Sequence, residues 1–244
     1  MFPNIVFTPE KKRSAFLAIA AYLEQKNAVN MVRNVQPSSL RLISPILPNK
    51  SSLAFQTQRG TSSSDIPDEI KLDKADAFFC TSIAFGINKV DLSQTPLAYS
   101  NNPIAYYPDA TAFPGTKTGN QPEANALLPL YYGKLTIQSG SQFLLQDFYM
   151  NELLDVPASQ DEQHKSASME DASFNLGCFL PLCGQQNYDL KIEFASGDRT
   201  ISDGSYSAAG STQAITRNYG NLILRGFVVK NGAQLVLAQN LFQF

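Results

Sequence analysis

The chain has 244 residues, of which 16% are charged, and its net charge is −2. That charged share lies well below the roughly 25% of an average soluble domain. The length allows one large domain or two small ones, and the longest apolar runs, 15–23 and 78–87, are about half the ~18 residues of a bilayer span, so no transmembrane segment is expected.

Uncharged Ser, Thr, Asn and Gln replace the missing charge, and such a surface suits extensive protein–protein contact. The charge is also unevenly placed. Residues 1–60 hold eight basic and two acidic side chains, a balance of +6, whereas the rest hold 11 and 19, a balance of −8. A basic arm on an acidic body neutralises phosphate or docks on an acidic neighbour, although an ordinary solvated helix face gives the same pattern. Cys80, Cys178 and Cys183 are odd in number, which points to reduced buried thiols rather than a disulfide framework.

In chain order, residues 1–7 are apolar and read as extended. Thr8-Pro9-Glu10 starts a helix: Thr8 can cap, Pro9 fits the first helical position, and Glu10 favours the positive end of the dipole. The helix runs to about Lys26 or on to Arg33, with Phe16, Ile19, Ala20 and Leu23 in one apolar stripe. The Lys11-Lys12-Arg13 cluster before 15–23 mimics a signal peptide, but Glu24 and Lys26 follow directly without a small-residue cleavage site. Residues 1–36 thus read as an arm, whose basic side chains include Lys11, Lys12, Arg13, Lys26 and Arg33. Gln36-Pro37-Ser38-Ser39 ends it, and 37–244 form the body, with room for a subdivision near 125–170.

Residues 40–46 and 52–58 are short strand candidates, and 77–90 is a long one. In the latter, Phe79, Thr81, Ile83, Phe85 and Ile87 alternate with Cys80, Ser82, Ala84, Gly86 and Asn88, giving one bulky and one small face. From 91 to 125 five prolines alternate with Tyr99, Tyr106, Tyr107 and Phe113. A connection this long is expected to carry function. Its aromatics either stack on sugars or bases, or fill a subunit interface.

The most regular stretch is 130–160. Leu135 and Ile137 alternate with Lys134, Thr136 and Gln138, Ser139-Gly140-Ser141 offers a turn, and 143–148 pairs back, predicting the central hairpin of the domain. Further strands are predicted at 175–182, 188–194 and 221–230. The last is joined to 233–237 by Asn231-Gly232, a strong hairpin signal. Eight to ten strands, one N-terminal helix and no βαβ alternation predict an all-β antiparallel sandwich of jelly-roll type, as one elaborated or two small stacked sandwiches.

The search for chemistry is negative. His164 is the single histidine and lies in a charged loop with nothing beside it to position it. The carboxylate pairs Asp68/Glu69, Asp161/Glu162 and Glu170/Asp171 read as solvated surface. The Asp198/Asp203 loop offers carboxylates and carbonyls to a calcium ion but lacks the spacing of a known calcium loop. Nucleophile-elbow, P-loop, dinucleotide and zinc-protease motifs are absent, so neither an enzyme nor a cofactor is expected.

Several segments together resemble a family of capsid proteins from bacteriophages that infect Bacteroidetes. They are Phe78-Phe79 with 81–90, Tyr107-Pro108 with Phe113, Leu130-Tyr131-Tyr132-Gly133-Lys134-Leu135, Val156-Pro157-Ala158-Ser159-Gln160, and Leu224-Arg225-Gly226-Phe227-Val228-Val229-Lys230-Asn231. Ser159 stands where the family form has Thr. The resemblance spans about 78–231 and implies a jelly-roll shell subunit of the virion, made in the host cytoplasm, with no catalytic residues to transfer. Its implied partners are copies of itself, other virion proteins and, through the basic arm, the packaged genome. Candidate subunit contacts are Phe16, Ile19, Leu23, Tyr99, Tyr106, Tyr107 and Phe113. The alternative is a β-sandwich carbohydrate- or receptor-binding module of a fibre or surface protein.

Overall fold

The computed structural model describes residues 9–47, 50–58, 69–91, 104, 130–153, 173–194, 206–207 and 214–237. Helix α1 (Pro9–Gln25) begins at its proline, as expected of a residue with no N–H to leave unpaired. It ends by a Schellman closure. Asn27 takes a positive φ of 54°, Ala28 N–H donates to the Leu23 carbonyl and Asn27 N–H donates to that of Glu24. A 3-10 turn, Val29–Asn34, leads into the first strand.

The strands are β1 (Val35–Pro45), β2 (Ser52–Phe55), β3 (Ala77–Asp91), β4 (Lys134–Ser139), β5 (Gln142–Tyr149), β6 (Ser173–Cys183), β7 (Asp189–Glu193), the two-residue β8 (Tyr206–Ser207) and β9 (Ala214–Val229). Helix α2 (Ala233–Leu237) follows. One sheet runs β1-β9-β3-β6, with β8 pairing on β9, and the other runs β2-β7-β4-β5. All named strand pairs are antiparallel. Setting β8 aside, β1 pairs with β9, β2 with β7, β3 with β6 and β4 with β5. That is a long two-stranded ribbon, closed at β4–β5 and rolled up, which is the topology of a single jelly roll. The expected all-β sandwich is therefore present.

The main core lies between the sheets. Leu40, Leu42, Phe78, Ile83, Phe85, Ile87, Leu222 and Leu224 from the first sheet meet Leu53, Phe55, Leu135, Ile137, Leu190 and Ile192 from the second. A second core lies on the outer face of the first sheet. There Ile19 and Leu23 of α1 pack on Ala77, Phe79, Phe227 and Val229, with Ala233 and Val236 of α2. The apolar stripe of α1 is thus laid on its own body.

Several local expectations are corrected. Gln36–Ser39 does not end an arm: β1 begins at Val35, pairs with β9 through Pro37 and Ser38, and crosses the expected boundary at 36/37. The 77–90 alternation does not run straight through. A bulge at Thr81 shifts register between Cys80 and Ser82, so Phe79 faces α1 while Ile83, Phe85 and Ile87 face the inter-sheet core. The 134–149 hairpin forms, but at the edge of its sheet rather than the centre.

Asn231-Gly232 makes no hairpin. Asn231 does take a positive φ of 58°, yet residues 233–237 are helical. Both edges of β9 are already occupied, since Val229 pairs with Val35 on one side and Ala77 on the other. With no free edge, the chain turns and puts Ala233 and Val236 into the second core. Cys178 is exposed rather than buried, while Cys80 and Cys183 are buried. Glu69, expected on a solvated surface, is nearly buried: it pairs with Lys71 at 2.7 Å and accepts from Ile43 N–H at 2.9 Å, closing the outer edge of β1.

Candidate functional site

The β4–β5 hairpin carries the most prominent exposed aromatic surface among the described residues. Tyr132, Phe143 and Tyr149 are 62%, 49% and 55% exposed. The register explains why Phe143 and Tyr149 share one side, and Tyr132 lies two residues before β4. Leu135 and Ile137 point into the core, so Lys134 and Gln138 point outward, and their partners across the ladder are Tyr149 and Phe143. The Lys134 ammonium lies 5.2 Å from the Tyr149 ring centroid and 3.4 Å from Asp147. On the inner side Phe148 packs against Phe174 with ring centroids 5.0 Å apart.

Strand β5 has eight residues against six in β4, with two register shifts and a positive φ of 52° at Asp147. Two bulges on an edge strand break the regular row of N–H and C=O groups that would otherwise template sheet extension. Contact through this edge therefore falls to the side chains. The sequence reading missed this surface, because the bulges destroy the period-two signal in Gln142–Tyr149. The one available sign was the pairing of a clear β4 alternation with an aromatic-rich return strand.

The expected subunit contacts and basic-arm residues separate into three groups. Ile19 and Leu23 are fully buried in the second core, and Phe16 is half-buried with its ring 6.1 Å from that of Phe227. Tyr99, Tyr106, Tyr107 and Phe113 lie outside the described residues, as do His164 and the Asp161/Glu162, Glu170/Asp171 and Asp198/Asp203 carboxylates. Of the basic arm, Lys12 and Arg13 line a cleft between α1 and the β1–β9 face, whereas Lys26 and Arg33 lie outside it. Lys26 instead stands 6.0 Å from the Tyr22 ring centroid.

Two polar clusters have structural explanations. Asp76 is buried; it pairs with Lys230 at 2.6 Å and accepts from Asn231 N–H at 3.0 Å. The hydrogen bond from Lys230 to Asp76 pushes the pKa of the Lys230 ammonium above its ordinary value. Asn88 and Asn221 are buried on the outer sheet face, where Arg41 donates to Asn221 at 3.2 Å and Asn221 donates to Asn88 at 2.7 Å. Burial pushes the Cys80 thiol up to about 12, which leaves it unreactive at neutral pH. Among the described residues no three His, Cys, Asp or Glu side chains come together to hold a metal, and no helix is long and apolar enough to cross a membrane.

Compared with known protein families and with curated proteins, the chain matches none at a significant level.

Proposed function

We propose that this protein is a virion shell subunit, similar to the capsid proteins of Bacteroidetes bacteriophages, and that it assembles with copies of itself in the particle. The observation that carries this reading is the exposed Phe143 and Tyr149 face, displayed on a bulged edge strand of a single jelly roll, with Tyr132 exposed just before the strand it pairs with. Jelly rolls serve as shell-building units and as lectin domains, and fold alone does not decide between them. Large aromatics held on a rigid hairpin provide much apolar contact area at little entropic cost, and such residues dominate interface energy. A surface with few charges reduces the desolvation cost of closing such contacts. The 91–125 aromatics extend the same role, and the exposed basic residues of the N-terminal helix meet a neighbouring subunit or the packaged genome.

Light scattering across protein concentration and salt tests this. The wild-type chain should form discrete multimers or shells, and Phe143→Ser with Tyr149→Ser should shift them toward monomer without lowering thermal stability. A wild-type chain that stays monomeric at every concentration overturns the reading.

The second reading, a carbohydrate- or receptor-binding module, draws on the same Tyr149 ring with Lys134 beside it, an arrangement suited to stacking on a sugar. A monomer whose saturable glycan binding is lost in Tyr149→Ala would establish it.

A further inference from the structure

A cleft of about 650 Å³ opens between the first half of α1 and the outer face of β1 and β9. That is within the size range of clefts that take small molecules. The α1 wall carries Lys12 and Arg13, and the sheet floor carries Arg225 with Ser39 beside it. The floor follows from strand register, which sets Ser39 opposite Arg225 on the same outer face as Pro37 and Phe227. No carboxylate among the described residues lines the cleft.

We propose that this cleft binds the phosphodiester backbone of single-stranded nucleic acid. Three cations from two elements around one open cleft suit a ligand that carries several anionic groups rather than one. Guanidinium forks match phosphate oxygens in pairs, and the Ser39 hydroxyl adds a neutral donor to the same oxygens. The half-buried Phe16 ring, at the side of the cleft, provides an apolar wall for a base, and stacking of that kind tolerates any base. An acidic peptide would use the cations but leave that wall without a partner. The cleft is not the basic arm as a whole, since Arg225 comes from β9 and Lys26 and Arg33 do not line it. The proposal holds whether or not the chain builds a shell.

Fluorescence anisotropy of a labelled oligothymidylate, titrated with the full chain at several salt concentrations, provides the test. Binding should weaken steeply with salt. Arg13→Gln with Arg225→Gln should weaken it about tenfold or more and flatten the slope of log affinity against log salt by ~1.4, or about 0.7 for each lost phosphate contact. Lys26→Gln with Arg33→Gln should leave affinity within about twofold, as neither lines the cleft. Because Arg225 is half-buried, Lys12→Gln on the exposed helix face is the companion variant, and it should flatten the slope by about 0.7 with an unchanged melting temperature.

Equal affinity of the wild type and the Arg13/Arg225 variant overturns the proposal, as does an equal loss in the Lys26/Arg33 variant. Displacement by inorganic phosphate at matched phosphate concentration would overturn the polymer assignment. Displacement by polyglutamate at matched charge would overturn it in favour of an acidic peptide.

Discussion

Asp76 shows how much one side chain can hold together. One carboxylate oxygen accepts from the Asn231 backbone and the other pairs with Lys230, while its own carbonyl accepts from Gly184 N–H. The start of β3, the end of β9 and the turn after β6 are thus fixed at one point. Asp76→Ala leaves the Asn231 N–H without its acceptor and should cost about 3 kcal/mol in urea unfolding. Asp76→Asn should cost less, because the amide oxygen still accepts that bond. The ion pair has a defined pH window. The folded-state pKa of Lys230 is raised, so its contribution is complete below the ordinary lysine value and is lost as pH rises through the folded value. Unfolding midpoints measured up the alkaline range should converge for wild type and Asp76→Asn. A constant gap would show that the charge does not matter.

Among the elements, β3 and β9 depend on a close approach at the Thr81 bulge. A Cβ on Gly226 would collide with the Phe79 carbonyl and crowd the Cys80 backbone, and neither is a flexible side-chain end. Gly226→Ala should therefore push the two central strands apart and cost about 3 kcal/mol or more. Gly140 has the opposite character. Nothing lies within 4 Å of its added Cβ, and only its φ of 57° resists substitution, so Gly140→Ala should cost about 1 kcal/mol. Denaturant midpoints of the pair check the contrast, and a Gly140→Ala loss as large as that of Gly226→Ala would contradict the packing argument.

For the whole molecule, the consequence is that the N-terminal helix cannot be treated as a detachable arm. Ile19 and Leu23 are fully buried on Phe79, Phe227 and Val229. A chain starting at Val29 should expose that face, bind an apolar dye strongly and melt at a lower temperature than the full chain. A truncated protein with unchanged melting and no dye binding would show the helix to be separable after all. Lys12 and Arg13 of α1 are therefore held beside the β1–β9 face, and their role is tied to that face.

The sequence by itself determined the class of this protein. Period-two alternation in Lys134–Ser139 and Asp189–Glu193 wrote strands with one buried side, and Pro9 with the Phe16–Leu23 stripe wrote one helix. These are local signals, set by which side chains meet water along a single element. Tertiary structure decided the rest, because each remaining question depended on a partner distant in the chain. Asn231-Gly232 has the chemistry of a hairpin but no free edge on β9 to receive one. Thr81 carries no mark of a bulge in its own sequence, since the register shift arises from pairing with β9 and β6. Arg225 reads as a lone cation in a strand, and only the pairing of β9 with β1 beneath α1 sets it across a cleft from Lys12 and Arg13.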